Sequence, residues 1–251
     1  MSQFGRREAA EAAALMQGIS YRALARVRGR AEASPVRRRR RFSAADVEPL
    51  GVGRPYARYF GIEEHELRHR RFDGSMSAAM GRAVFTMGDA VTVLPFDPRT
   101  RSVLLIEQFR AGPYARRDPR PWCLEVVAGR CDAGEGPEAT ARREAREEAG
   151  VALGRVERIA GYYTSPGAVA EHVTAYVGEA DLEAAGGVHG LAEEHEDIRV
   201  IVLPLREALE LVAAGEVNVG PLLVSLLWLA GQADRLASAW ADEGCPSWDI
   251  P

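Results

Sequence analysis

The segment GRCDAGEGPEATARREAREEAGV, residues 129–151, constrains the chain more than any other stretch. Pro137 suits a first helical turn and Gly150 suits a helix exit, so the sequence predicts a helix between them. On that helix Glu144, Glu147 and Glu148 stand at i, i+3 and i+4 and share one face, while Ala141, Ala145 and Ala149 form a second stripe, expected to be buried. Glu135 precedes the helix, where the positive end of the dipole favours a carboxylate. Like charges at this spacing destabilise a helix by a few tenths of a kcal/mol. Two readings follow: a surface helix whose repulsion Arg143 and Arg146 offset, or a carboxylate cluster built to hold a hard cation such as Mg²⁺.

The surrounding sequence reads mainly as strands. Residues 65–97 give strand, Asp73-Gly74 turn, strand, then AVTVLPF; SVLLIEQFR and PWCLEVVAG follow as two apolar strands. After the charged helix come VERIAGYYTSP, EHVTAYVGEA and DIRVIVLPL, then the helical LREALELVAAG stopped by Gly215, and a last helix opened by Pro221. Mostly antiparallel strands with inserted helices predict an α+β or α/β/α sandwich. Domain boundaries are expected at about 45, 85 and 239. Residues 1–45 read as a mobile, Arg-rich extension with an Ala-rich helix over RREAAEAAALMQ, and Met16 is a second candidate start. Residues 46–85 read as a small β subdomain, 86–239 as the main domain with a C-terminal helix, and 240–251 as a tail.

Composition excludes several function classes. A net charge of −4 gives no bulk pull toward nucleic acid or membrane. The run Arg37–Arg41 reads as a solvated block with no aromatic residue interleaved, so nucleic acid is not expected as a partner. The run VGPLLVSLLWLAG is too short to span a bilayer, and the three cysteines form no CxxC pair, so a reducing cytoplasm is the expected setting. The five histidines show no zinc-ligand spacing. The chain has no lysine, so any side-chain cation meeting a phosphate must be arginine, whose planar fork binds oxygens bidentately.

Spacing separates the two readings of the charged helix. Gly129, Glu135, Arg143, Glu144, Glu147, Glu148 and Gly150 fall in the pattern G-x5-E-x7-R-E-x-x-E-E-x-G, followed by apolar Val151. Seven fixed positions at about one chance in ten each give an accidental match of about 10⁻⁷ per window. The segment resembles the signature of the Nudix hydrolases. HGLAEEHEDIRV, YYTSPGAVAEH, EQFR and HRRFDGSMS further resemble the ADP-ribose pyrophosphatase branch, and the likeness extends over about residues 46–232.

The resemblance implies a Nudix-type α/β/α sandwich with a mixed sheet plus an N-terminal antiparallel β subdomain. It implies Mg²⁺, or Mn²⁺ in its place, held by Glu144, Glu148 and the carbonyl of Ala128, with Glu147 as ligand or water-bridged partner and as part of the catalytic group. Arg143 and Glu135 are implied as structural supports. The implied reaction is hydrolysis of ADP-ribose to AMP and ribose 5-phosphate, with Glu194 as general base and Glu196 as helper. By the same resemblance Arg110 meets the diphosphate, Arg82 is a second substrate contact, Tyr59 stacks on adenine, and Ser165 and Gly167 mark the ADP-ribose loop. Glu171 is implied to reach the site from the partner subunit of a homodimer. Each of these side chains also has an ordinary reading: ion pairs for the arginines, local core for Tyr59, a strand-face charge for Glu171, and a solvated acidic loop for Glu193, Glu194 and Glu196. The competing functions are hydrolysis of another nucleotide sugar, such as a GDP-sugar, and non-catalytic sensing of ADP-ribose. The loop AGPYARRDPRPW carries extra arginines beside the site and departs from the pattern.

Overall fold

The structure is a computed structural model that describes residues 15–31, 35–132, 134–191 and 195–241. The chain divides into two units, residues 1–89 with 163–172, and 90–162 with 173–251.

The first unit is built on a three-stranded antiparallel sheet of β1 (Val47–Ala57), β2 (Gly61–His69) and β3 (Met80–Thr86), in that order. A helix, α1 (Met16–Ala31), precedes it. The helix expected over residues 6–17 falls almost wholly outside the described residues, and α1 is a further helix that the sequence did not announce. A single 3₁₀ turn, Ala44–Asp46, leads into β1, and Ser43 caps it in a reciprocal box with Asp46. The chain then turns at Asp73-Gly74, where Gly74 has φ +90°, before β3. Residues 163–172 also belong to this unit. Phe85 donates to the Ala168 carbonyl at 2.8 Å and accepts from the Ala170 amide at 2.9 Å.

The second unit has a mixed sheet. Its strands are β4 (Ala90–Asp97), β5 (Ser102–Phe109), β6 (Trp122–Glu125), β7 (Val127–Arg130), β8 (Val156–Tyr163), β9 (His172–Glu179), β10 (Gly187–His189) and β11 (Ile198–Pro204). The order runs β10-β11-β5-β4-β9-β8, with β6 on β5 and β7 on β4. The β4–β9 pair is parallel. A short helix, α2 (Ala111–Ala115), follows β5, and α3 (Pro137–Ala149) is the charged helix.

Period-two alternation explains the layering. Val91 and Val93 of β4 and Leu104 and Ile106 of β5 pack with Ala141, Ala145 and Ala149 of α3. Leu94, Phe96, Val103 and Leu105, on the opposite face, pack with Leu222, Leu226 and Leu229 of α5 (Gly220–Ala230). Ala208 of α4 (Leu205–Ala214) and Leu236 and Trp240 of α6 (Ala233–Ala241) complete that layer. The unit is thus an α/β/α sandwich with α3 packed on one face of the central strands and α4, α5 and α6 on the other. One expectation changes: the segment opened by Pro221 is two helices, broken after Ala230 at Gly231 and Gln232. Trp240, expected in an unpatterned tail, is buried in α6 and meets Phe96 at 6.3 Å between ring centroids.

Candidate active site

Helix α3 begins at Pro137 and ends at Gly150, which adopts the left-handed conformation at φ +66°. The alanine stripe lets the helix lie close to β4, and this brings its acidic face toward β7. Glu148 is only 3% exposed, and its Oε2 accepts the Ala128 amide at 2.9 Å. Beside it, a side chain at Gly129 would overlap the carboxyl group of Glu144. Glycine at 129 therefore gives Glu144 room to fold against the strand backbone.

Arg143 organises the rest of this face. Its guanidinium donates to both oxygens of Glu135 at 3.1 Å, to Glu144 at 2.8 Å, to Glu147 at 2.7 Å and to the Arg130 carbonyl at 3.1 Å. Glu135 also accepts from the Thr140 hydroxyl at 2.7 Å, and these partners outweigh its burial and hold its carboxyl below the usual range. Arg142 ties the helix to the chain that follows, through the carbonyls of Leu153 and Gly154 at 2.6 and 2.8 Å.

The buried carboxylates repel one another. Burial pushes the Glu148 carboxyl up to about 8, helped by Glu144 and Glu196 and opposed by the Ala128 amide and Arg110. Burial likewise pushes Glu144 up to about 7 against the pull of Arg143, with Glu147 and Glu196 adding to the rise. On this face the single Arg143 guanidinium does not offset the burial of Glu144 and Glu148, and a divalent cation is the natural complement. The oxygens of Glu144, Glu147 and Glu148, with the Ala128 carbonyl nearby on β7, are hard donors suited to Mg²⁺ or Mn²⁺. Among the described residues, no group of three or more His, Cys, Asp or Glu side chains stands as a finished cage. Glu144 and Glu147 each commit an oxygen to Arg143.

Arg110 lies at the end of β5, within electrostatic reach of Glu148. It donates from Nε and Nη2 to the two oxygens of Glu125, each at 2.7 Å. Glu125 is buried in β6, and the sequence reading did not single it out. Its signal is one carboxylate inside the apolar run WCLEVVAG, two residues after the strand's buried Cys123. The fork keeps its Nη1 edge outside this pair.

The connection between β10 and β11 carries the acidic loop. His189 and Gly190 begin it, with Gly190 at φ +104°, where a side chain would press on Cβ of Glu196 at 2.6 Å. Glu196 closes the loop onto Leu191: its amide donates to the Leu191 carbonyl at 3.2 Å, and its Oε2 accepts the Leu191 amide at 3.1 Å. Glu193 and Glu194 lie outside the described residues.

The remaining expected residues lie in the first unit. Tyr59 is at the β1–β2 tip, 57% exposed, with its ring edge-on to Phe60 at 5.4 Å. Arg82 is exposed on β3 opposite His65, about 13 Å along the ladder from Gly61 by strand rise. Ser165 accepts from the amides of Ala168 and Val169 at 3.1 and 2.9 Å, so Ser165 to Gly167 form a turn leading to the Phe85 contact. Glu171 accepts from the Thr164 hydroxyl at 3.2 Å, across the same loop.

This geometry agrees with comparison to known proteins. The NUDIX domain model matches residues 86–223. The ADP-ribose pyrophosphatase of Escherichia coli strain K12 is 40% identical over 200 residues, covering 80% of this chain and 95% of that protein. The GDP-mannose pyrophosphatase of Enterobacter sp. strain 638 is 36% identical over 149 residues, covering 59% and 76%. A crystal structure of an ADP compounds hydrolase aligns with a TM-score of 0.55 at 20% identity, over 74% of this chain and 96% of that one. The chain belongs to the Nudix family, in its ADP-ribose pyrophosphatase branch, and is a nucleoside diphosphate-X hydrolase.

Proposed function

We propose that the chain hydrolyses ADP-ribose to AMP and ribose 5-phosphate in a Mg²⁺-dependent reaction. The observation that carries this reading is the desolvated carboxylate cluster on α3, set against β7 in a chain that shares most of its length with ADP-ribose pyrophosphatases. Glu144, Glu148 and the Ala128 carbonyl would hold the metal, with Glu147 a direct or water-bridged partner. Mn²⁺ suits the same donors. The bound cation supplies charge neutralisation of the diphosphate and a more acidic water.

The chain's own residues do the rest. Arg110, braced by Glu125, presents its outer edge to the diphosphate. Glu194 takes the proton from the attacking water, and Glu196 supports it by closing the loop onto Leu191. Tyr59 stacks on the base, Arg82 contacts substrate, and Ser165 and Gly167 shape the loop beside the sugar phosphate. Glu171 serves the site of the partner subunit in a homodimer. A nucleotide-sugar substrate is water-soluble, and the cytoplasm is the setting in which the chain would meet it.

The second reading is a GDP-sugar substrate, favoured by the GDP-mannose pyrophosphatase relative but over a smaller share of the chain. Non-catalytic sensing is disfavoured by a complete set of box carboxylates. Incubation with ADP-ribose and GDP-mannose, each with and without Mg²⁺, decides among the three by product analysis. AMP and ribose 5-phosphate formed only with the metal support the proposal. Faster turnover of GDP-mannose, or no turnover of either, rejects it.

A further inference from the structure

Helix α1 has the sequence MQGISYRALARVRGRA, with no acidic residue in its first turn. Its glycine at position 18 is costly inside a helix, by about 1 kcal/mol relative to alanine. Close approach explains it: a Cβ at Gly18 would stand 2.7 Å from the Tyr59 carbonyl oxygen and 3.2 Å from that of Arg58. One turn further on, Arg22 Nη1 donates to the same two carbonyls, at 3.0 Å to Arg58 and 3.1 Å to Tyr59. The next turn places Arg26 on Glu63, a buried carboxylate that also accepts from Arg54 at 2.9 Å and contacts His65 at 3.1 Å. Tyr21 of the same helix lies 2.7 Å from where a Cβ at Gly88 would be.

The helix thus grips the β1–β2 tip, residues 58–60, on one side. On the other, the Thr86 hydroxyl donates to the Gly61 carbonyl at 3.2 Å. Gly61 is closed in as well: a Cβ there would meet Thr86 Oγ1 at 2.7 Å and Arg22 Cδ at 3.6 Å. The tip's own bond runs from the Arg58 amide to the Phe60 carbonyl at 2.9 Å, and the carbonyls of Arg58 and Tyr59 accept from the guanidinium. Tyr59 is exposed, and its ring stands edge-on to Phe60 of the same tip, so the backbone that Arg22 holds carries both.

We infer that α1 is a clamp that fixes the nucleoside-binding tip, with Arg22 the positioning residue that orients Tyr59 through its backbone. The inference rests on the reading that the Tyr59 ring meets the adenine of the substrate. A tip held in advance costs less conformational entropy on binding, so the clamp acts on affinity more than on the chemical step.

The test uses the full chain with Arg22→Ala, Arg22→Lys and Tyr59→Ala, each assayed with ADP-ribose and Mg²⁺ and each followed by amide hydrogen exchange without nucleotide. Arg22→Ala should raise KM by about fivefold or more with kcat within about twofold, and should speed exchange of the amides of residues 58–61. Arg22→Lys, which keeps one carbonyl bond, should recover part of both effects. Unchanged exchange at 58–61 in Arg22→Ala overturns the clamp whatever the kinetics. If Tyr59→Ala raises KM and Arg22→Ala does not, the positioning role is overturned while the base-contact reading stands. If Tyr59→Ala leaves KM unchanged, the base-contact reading fails, and the inference about substrate fails with it.

Discussion

Gly129 and Glu144 share one volume: the carboxyl group on α3 fills the space that a side chain on β7 would take. The strand and the helix are therefore fitted to each other at a single hydrogen atom. Gly129→Ala should displace Glu144 while leaving the layers intact, because the clash is with a flexible side chain and not with backbone. Activity should fall by about 10- to 100-fold with Tm lowered by only a few degrees. Equal activity in the purified variant would show that Glu144 is not needed where it lies.

Glu148 makes the opposite kind of prediction. Its carboxylate is desolvated, and the glutamine that replaces it in Glu148→Gln can still accept the Ala128 amide. Without metal the variant should be about as stable as the parent near pH 7, since burial pushes the Glu148 carboxyl up to about 8 and leaves it mostly neutral there. Turnover should fall by at least about 100-fold, and Mg²⁺ should no longer raise Tm. Retention of more than a tenth of the activity contradicts a metal-holding role.

Much of this was legible in the sequence, and the rest was hidden for a definite reason. Helix α3 runs from Pro137 to Ala149 because local signals, a proline start and a glycine exit, fix its ends. The alanine stripe is buried as its spacing implied. The brace of Arg110 by Glu125, the overlap of position 129 with Glu144 and the grip of Arg22 on Tyr59 were not legible. Each joins residues that no local periodicity relates. The break of the last helix at Gly231 and Gln232 was missed because the helical pattern of ADRLASAWA resumes within two residues, with no proline or capping box to mark a second start.

The Arg110–Glu125 pair predicts a separation of binding from chemistry. Glu125→Gln removes the charge that holds the fork and one of its two acceptors. Arg110 keeps its own charge but loses its direction. KM for ADP-ribose should rise by about tenfold, with kcat changed by no more than about threefold. A fall in kcat at constant KM would place Glu125 in the reaction itself.

Asp97 carries a prediction about pH and stability. It is fully buried at the end of β4 and accepts from the Arg99 amide at 2.9 Å and the Arg99 guanidinium at 3.2 and 3.3 Å. Burial raises its carboxyl, but these donors and the Thr100 amide outweigh it and hold it below the usual range. The unfolded chain therefore takes up the proton first. The stabilisation is complete above the unfolded value of about 3.9 and is lost as pH falls through the folded one. Asp97→Asn should cost about 1–3 kcal/mol at pH 7 in urea denaturation. That deficit should narrow as pH drops from about 5 to 3. A deficit that stays constant over this range would assign the effect to packing.

The two acidic residues of the β10–β11 loop should separate in kinetics. Glu196 already spends an oxygen on the Leu191 amide, and Gly190 has no room for a side chain beside it. In Glu196→Gln the amide oxygen can still accept that hydrogen bond, so kcat should fall by less than about tenfold. Glu194→Gln removes the proposed base and should lower kcat by about 100-fold or more. If Glu194 is the base, the same variant should also flatten the acid limb of the pH–rate profile. If the larger loss and the flattened limb belong to Glu196→Gln, the base is Glu196, and Glu194 is only part of a solvated loop.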